Sequence, residues 1–419
     1  MTSFAISLAL FACTVIAFQL DFKVQKQEFQ PHAPTILDQR DFHLLFRVLQ
    51  NVYITELEIG SNNDKVSVSI DTGSSSLWVM SSSVECLNVS QFHTENAPTI
   101  PKVLDDLYPN YTCTANGTYN PNESETFVET NQVFNIGYAD GTGSSGYWGL
   151  DDLHIGNATV HNFKFGIANI TSVDVGIMGI GWQESDDDNF PKMLEKQGIT
   201  NSSIYSIYMT NETGVVLFGD VDNSKYTGEM ATTNMTKAGT LEIESLMLDD
   251  EKISVVGTEK VLFDTGATFS AFPREWIEAI AEAIGGRYNT NASVYDIGCD
   301  EEYDQMLKFT INGTELSFPL TALVSHVSST SEETCVLAIL DQSIIGGVLF
   351  GSDILQNFYT VYDFENDRLS IAQLGEDVNA DQQSSSISNE GASKTNEAHS
   401  VLPWSYLEIF LVSVFLFVL

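Results

Sequence analysis

Residues 68–76, VSIDTGSSS, carry an apolar run into Asp71, Thr72, Gly73 and Ser74. Residues 261–269, VLFDTGATF, repeat the pattern with Asp264, Thr265, Gly266 and Ala267. Each copy is followed downstream by two apolar residues and a glycine: Ile177-Met178-Gly179 after the first, Leu349-Phe350-Gly351 after the second. A lone Asp-Thr-Gly after a strand is an ordinary Asx-type turn. Two ordered copies of the same pair of turns are an internal repeat. They predict two β halves related by an approximate two-fold axis, with the aspartates face to face where the halves meet. Each Asp-Thr-Gly is then half of one site.

The rest of the chain reads as β structure. Apolar and polar residues alternate through NVYITELEIGSNNDKVSVSIDTG (51–73), and GSNN supplies a hairpin turn. TFVETNQVFNIGYADGTGSSGYWGLDDLHIGN (126–157) is patterned in the same way. Helical periodicity is confined to FPKMLEKQG (190–198) and PREWIEAIAEAIGG (273–286), the second opening at Pro273 and ending at Gly285-Gly286. The class expected is mostly all-β, with regular structure starting near Asn51. A chain of 419 residues has room for two or three domains and a large core.

Two carboxyls forced together cannot both ionise cheaply, so one pKa falls, the other rises, and the pair holds one proton between them. Such a pair can add water to an amide. The ionised member takes a proton from water while the protonated member donates to the carbonyl oxygen. Glycine after Asp-Thr permits a tight turn and close backbone approach, and the threonines can bond across the interface. Asp71 and Asp264 are therefore the candidate catalytic pair, supported by Thr72, Gly73, Ser74, Thr265 and Gly266. The chemistry needs no metal or other cofactor. The glycines of GTGSSG (141–146) lack the Lys-Ser/Thr of a phosphate loop.

With 18 basic against 57 acidic residues, the formal charge is -39. That balance excludes nucleic-acid backbone binding, which needs basic surface to displace counterions, and it suits an extracellular or acidic compartment. Residues 1–17 form an apolar run that reads as a secretory signal peptide, with Val15 and Ala17 at the −3 and −1 positions. Residues 18–40 then read as a propeptide. Eleven Asn-X-Ser/Thr sequons agree with export: Asn88, Asn110, Asn116, Asn122, Asn157, Asn169, Asn201, Asn211, Asn234, Asn291 and Asn312. Of five cysteines, Cys13 lies in the leader. Cys86 and Cys113 follow the first Asp-Thr-Gly, and Cys299 and Cys335 the second. Three pairings are possible; proximity favours one bridge per half, Cys86–Cys113 and Cys299–Cys335. Residues 377–400 are a Ser-rich polar spacer and 401–419 an apolar tail. Small residues around Asn389, Gly391 and Ser393 suit a GPI-attachment signal. A transmembrane anchor and a tail with neither role are the alternatives.

Together, DTGSSSLWV, YADGTGSSG, GIMGIG, FDTGATFSAFP and LFGSDILQNFYTVYD resemble the pepsin-like aspartic proteases over roughly residues 45–375. The phrasing is most similar to the fungal yapsins and the secreted aspartyl proteases of yeasts. That likeness is carried by VYITELEIGSNNDKVSVSIDTGSSSLWV, YADG and the C-terminal tail. The resemblance implies a bilobal fold, with β lobes at 41–212 and 213–376 around a cleft. It implies an acid-favouring endopeptidase, monomeric, that holds roughly six to eight extended residues of a peptide or protein substrate by main-chain hydrogen bonds.

By the same resemblance Tyr138 is a flap tyrosine, and Ala139, Asp140 and Gly141 continue the flap over the substrate. The Trp78 indole is its expected donor. Both aromatics could equally be ordinary core residues. Asp140 either favours a basic side chain beside the scissile bond or simply belongs to an Asp-Gly hairpin turn. The acidic ESDDDNF (184–190) either adds to that preference or is solvated surface.

Three departures bear on pH optimum and maturation. Ala267 stands where many relatives carry a hydroxyl; its absence is expected to leave the adjacent carboxyl pKa, and the acid limb of activity, higher. Ser352 stands where relatives often have Asp. No Lys-Arg pair precedes the mature chain, which leaves Arg40 or Arg47 as single basic sites. Two other readings compete: a non-catalytic wall glycoprotein using the fold as a binding module, and a freely secreted protease with an unprocessed tail.

Overall fold

A hairpin carries the first Asp-Thr-Gly to its place. Strands β2 (Asn51–Ile59) and β3 (Asp64–Asp71) pair antiparallel from Ile54↔Ser69 to Ile59↔Asp64. Gly60 begins the GSNN turn in the left-handed region (φ 76), where a Cβ would be strained. Val66, Val68 and Ile70 of β3 are buried, and the strand ends on a fully buried Asp71. This is a computed structural model that describes residues 17–26, 51–87, 112–138, 142–156, 158–183, 189–236, 239–253, 258–290, 293–299, 301–328, 333–375 and 378. Ala139, Asp140, Gly141, the acidic residues 184–188, Asn88, Asn110, Asn157, Asn291, Arg40, Arg47, Asn389, Gly391 and the C-terminal tail lie outside the described residues, as does nearly all of the leader.

The architecture is mostly β. The other strands up to residue 234 are β1 (Phe18–Lys26), β4 (Leu77–Cys86), β5 (Val128–Gly137), β6 (Gly143–Ile155), β7 (Ala158–Thr171), β8 (Gly176–Gly179), β9 (Ile204–Met209), β10 (Thr213–Phe218) and β11 (Tyr226–Asn234). One 13-stranded sheet runs β11, Arg368–Leu374, Phe358–Asp363, β9, β10, β1, β2, β3, β8, β4, β7, β6, β5. It therefore draws strands from both halves. The turn of the β9–β10 hairpin falls at residues 210–212. Smaller sheets complete the second half. One of them holds Glu259–Phe263, Ala271–Phe272 and Val348–Phe350.

Regular structure begins earlier than Asn51. The alternation in FQLDFKVQK lets Leu20 and Phe22 bury while β1 pairs with β10 and β2. Phe22 meets Tyr53 edge-on, with ring centroids 5.5 Å apart. It fits because residue 214 is glycine: a Cβ there would lie 2.1 Å from the Phe22 ring. Residues 18–26, expected to belong to a propeptide, thus form a strand of the large sheet.

The helices sit where their periodicity places them. Phe190–Lys196 is capped by Asn189, whose side chain accepts from the Lys192 N–H. Arg274–Ala283 buries Trp276, Ile277, Ile280 and Ala281 at the spacing of one helix face. The disulfides are Cys86–Cys113 and Cys299–Cys335, as proximity favours, with Cα atoms 5.6 and 5.2 Å apart. Among the described sequons, Asn122, Asn169, Asn201, Asn211, Asn234 and Asn312 are exposed. Asn116 is half-buried and donates to the Asp174 carbonyl. Among the described residues no helix is long and apolar enough to cross a membrane.

Candidate active site

Both Asp-Thr-Gly turns are set by the same device. In the first half β3 lies parallel to β8, with Asp71 opposite Gly179, and the Ile180 N–H donates to the Asp71 carbonyl at 2.8 Å. In the second half Glu259–Phe263 lies parallel to Val348–Phe350, with Phe263 opposite Phe350, and the Asp264 N–H donates to the Phe350 carbonyl at 3.0 Å. The apolar-apolar-glycine runs are thus the strands that hold each aspartate from beside. A Cβ on Gly179 would lie 2.7 Å or less from the backbone nitrogens of Ser75 and Ser76, which explains the glycine.

The threonines lock the two turns together. Thr72 Oγ1 donates to the Phe263 carbonyl (2.9 Å) and accepts from the Thr265 N–H (3.0 Å). Thr265 Oγ1 donates to the Ile70 carbonyl (3.0 Å) and accepts from the Thr72 N–H (3.1 Å). Each bond contributes about 1 kcal/mol net, but removing a hydroxyl strands buried groups at about 1–3 kcal/mol. The four bonds also fix the separation of the aspartates, because each links one half directly to the other.

Asp71 and Asp264 are fully buried and face each other: a Cβ on Gly266 would lie 2.7 Å from Asp71 Oδ1 and 3.1 Å from Asp264 Oδ1. Asp71 Oδ1 accepts from the N–H groups of Gly73 (2.8 Å) and Ser74 (3.2 Å), and its Oδ2 from the Ser74 hydroxyl. Asp264 Oδ1 accepts from the Gly266 N–H at 2.8 Å, while Oδ2 has no hydrogen-bond partner among the described residues. The difference traces to Ala267 facing Ser74 across the pseudo-axis. Burial raises both carboxyls above the ordinary carboxylate range; at Asp71 the Ser74 hydroxyl, Asp264 and two backbone N–H groups oppose the rise. Asp264 is pushed well above its ordinary value by burial and then by the neighbouring Asp71 charge. The hydroxyl and N–H donors on Asp71, and the stronger upward push on Asp264, favour the ionised form at Asp71 and the protonated form at Asp264.

That assignment moves the consequence expected of Ala267. A hydroxyl there would stabilise ionised Asp264, the member that deprotonates last, so it acts mainly on the descending limb of the pH profile. Ala267→Thr is expected to shift that limb of kcat/KM to lower pH on an uncharged peptide, by about one pH unit for one added hydroxyl–carboxylate bond. Coincident profiles would show that Ala267 does not set the optimum.

Tyr138 ends the described part of the hairpin formed by β5 and β6, and the Trp78 indole N–H donates to its phenol oxygen at 2.8 Å. Both rings are buried, packed with Met80, Phe134 and Ile177. The predicted pair thus forms.

Asp353 escaped the sequence reading. Its carboxyl is buried and bonded to Ser270. The available clue was an acid one place beyond the position where Ser352 was noted as a departure. Asp151 was missed as well; it is fully buried and accepts from the Tyr119 and Thr126 hydroxyls at 2.6 and 2.5 Å.

The comparisons with known proteins agree with this geometry. Residues 52–374 match the family described as eukaryotic aspartyl protease. The chain is 43% identical over 329 residues to secreted aspartic protease 10 of Candida albicans, covering 77% of this chain and 72% of that one. It is 30% identical over 365 residues to candidapepsin of Candida tropicalis, covering 85% and 87%. Against aspartic proteinase 3 of Saccharomyces cerevisiae the identity is 27% over 401 residues, covering 77% and 70%. With the family match spanning both Asp-Thr-Gly turns and the strands that hold them, this chain belongs to the eukaryotic aspartyl proteases, the pepsin-like aspartic endopeptidases.

Proposed function

We propose that Asp71 and Asp264 are the catalytic dyad of this endopeptidase and that Asp264 carries its proton. The observation that supports this most is the placement of two buried carboxyls face to face at the Gly73 and Gly266 turns, one with its hydroxyl donor and one without. Water held between them loses a proton to Asp71 as its oxygen attacks the scissile carbonyl carbon. The Asp264 proton passes to the carbonyl oxygen, giving a neutral tetrahedral diol. On collapse, Asp71 returns its proton to the leaving amine and the diol returns one to Asp264, so the dyad is restored and water has been consumed. Tyr138, held by Trp78, carries the flap of Ala139, Asp140 and Gly141 over the substrate. Removal of residues 18–40 matures the enzyme; until then β1 fills the slot between β10 and β2.

The enzyme acts at the cell surface, glycosylated and held by a GPI anchor at Asn389 or Gly391, and it prefers Lys or Arg beside the cleaved bond. The -39 charge supports the preference, and Asp140 is its local source. A desolvated charge pair at one subsite contributes about 1–3 kcal/mol, roughly tenfold or more in kcat/KM. Matched peptides differing only in Lys against Leu beside the scissile bond are expected to favour Lys, and Asp140→Ala to erase that ratio while sparing the apolar peptide. A wild type that prefers Leu rules the preference out. Phosphatidylinositol-specific phospholipase should release the enzyme from intact cells; a mature protein that keeps its tail by mass spectrometry rules the anchor out.

A further inference from the structure

The two disulfides differ in what touches their sulfurs. Cys335 stands in the strand Glu333–Leu337, opposite Ile297 of Val294–Ile297 on one side and His326 of Val324–Ser328 on the other. Residues directly opposite in an antiparallel pair send their side chains to the same face. The His326 ring therefore reaches the bridge, with Nδ1 3.3 Å from Cys335 Sγ. A disulfide sulfur has no proton to give, so the Nδ1–H is the donor. Cys299 closes over the same face just after Ile297. Its Sγ, the Cys335 Sγ and a His326 ring nitrogen all lie within 4.8 Å of one another.

Exposure separates the two sulfurs of this bridge. Cys335 is buried, at 1% exposure, whereas Cys299 is half-buried and His326 is exposed. A thiol arriving from solvent thus meets Cys299 first. In thiol–disulfide exchange the attacked sulfur must be accessible, and the other sulfur leaves with the electron pair. The leaving sulfur here is Cys335, the one that holds the imidazole. An N–H donated to a developing thiolate is a charge-assisted bond, stronger than the same contact to a neutral disulfide. It therefore speeds the departure of that sulfur.

Cys86–Cys113 has the opposite arrangement. Cys86 is half-buried and Cys113 is 0% exposed, so a thiol would have to attack Cys86 and expel Cys113. The donor at this bridge is the Cys113 N–H, 3.0 Å from Cys86 Sγ. It serves the sulfur under attack rather than the one that leaves. The second bridge can also open locally. Glu333–Leu337 is paired with a strand on each side, and those ladders do not depend on the bridge.

We propose that Cys299–Cys335 is a thiol-exchange site: a small-molecule thiol adds to Cys299 while His326 receives the departing Cys335 sulfur. The incoming thiolate forms a new S–S bond to Cys299 Sγ. The Cys299–Cys335 bond breaks, and its electron pair stays on Cys335 Sγ beside the His326 N–H. The Cys335 thiolate can return to Cys299 and expel the adduct, which restores the bridge. Otherwise a second thiolate takes the adduct off as a small-molecule disulfide. The protein bridge has then gained two electrons, and two small thiols have been oxidised to their disulfide.

The test uses the first bridge as an internal control. Folded enzyme is incubated with limiting reduced glutathione at one fixed pH near neutrality, quenched with excess N-ethylmaleimide, and mapped by peptide mass spectrometry. Cys299–Cys335 is expected to open at least about tenfold faster than Cys86–Cys113, with glutathione on Cys299 and maleimide on Cys335. His326→Ala should slow that opening about tenfold and leave Cys86–Cys113 unchanged. A merely structural role for His326 would not fix which sulfur carries the glutathione. Earlier opening of Cys86–Cys113, glutathione on Cys335, or an unslowed His326→Ala protein would each overturn the proposal. If that variant does not fold, the order of opening and the labelled sulfur in wild type decide it alone.

Discussion

Asp264→Asn and Asp71→Asn are each expected to lower kcat by about 10³-fold or more on any peptide substrate, since each removes one half of a coupled acid–base pair. The two losses arise differently. Asn at 264 keeps a hydrogen-bond donor for the carbonyl oxygen but has no proton to give. Asn at 71 removes the base that activates water; its Oδ1 can still accept from the N–H groups of Gly73 and Ser74, but its amide nitrogen replaces the Oδ2 that accepts from the Ser74 hydroxyl. Stability should separate the variants further. Asp264 is held well above its ordinary pKa by burial and by Asp71. Its contribution to wild-type stability is therefore present at low pH and lost as pH rises through the raised value. Asp264→Asn removes that loss, so its thermal midpoint should match wild type in acid and exceed it toward neutral pH. Asp71→Asn should be the less stable variant in acid, because it takes the acceptor from the buried Ser74 hydroxyl. The checks are turnover on a quenched peptide and thermal midpoints across the pH range. A folded Asp264→Asn enzyme that retains substantial turnover would remove Asp264 from the dyad.

The repeat was the legible part of the chain, and the physics explains why. Asp71 and Asp264 are flagged by neighbours in sequence: the strand before each, the Thr-Gly after it, and a hydrophobic-hydrophobic-glycine run that pairs with the same strand. Local spacing carries that information. The cross-bonding of Thr72 and Thr265 could be anticipated from symmetry, and the Ser74/Ala267 asymmetry could be read by aligning the two copies. β1 could not be placed, because alternation in FQLDFKVQK shows a strand but not which strands it lies between. That answer needed Gly214, nearly two hundred residues away, whose missing Cβ admits Phe22. The Asp353–Ser270 pair joins residues 83 apart. A lone acid after Gly-Ser has no spacing rule, and burial decides its role. The same holds for Asp151 with Tyr119 and Thr126. The basic-residue preference proposed for Asp140 depends on long-range neighbours that sequence patterning does not encode.

Gly73→Ala is expected to abolish most activity while leaving a folded protein. The residue does not sit in the left-handed region, so alanine meets no backbone strain there. The constraint is contact. A Cβ on Gly73 would lie 2.4 Å from Asp264 Cγ, 2.6 Å from its Oδ2 and 2.7 Å from its Oδ1. The mirror contact exists at Gly266, where a Cβ would lie 2.7 Å from Asp71 Oδ1. Each glycine thus makes room for the opposite half's carboxyl. An added methyl must push the two carboxyls apart against the four threonine bonds, or turn Asp264 off its Gly266 donor. A displacement of about 1 Å in a positioned group costs roughly 10² in rate, and here both members of the pair move, so a loss of 10²–10³ in kcat is the reasonable scale. Gly198→Ala provides the contrast. That glycine has φ +70 and nothing within 4 Å of a Cβ. Its substitution should cost about 1–2 kcal/mol of stability through backbone strain alone and leave kcat near the wild-type value. The two variants therefore dissociate contact from conformation: Gly73→Ala loses turnover far beyond what its fall in thermal midpoint accounts for, whereas Gly198→Ala loses midpoint at nearly constant turnover. A Gly73→Ala enzyme with kcat within about tenfold of wild type would mean that the carboxyls are not held in mutual contact by this turn, and the dyad geometry derived for Asp71 and Asp264 would fail with it.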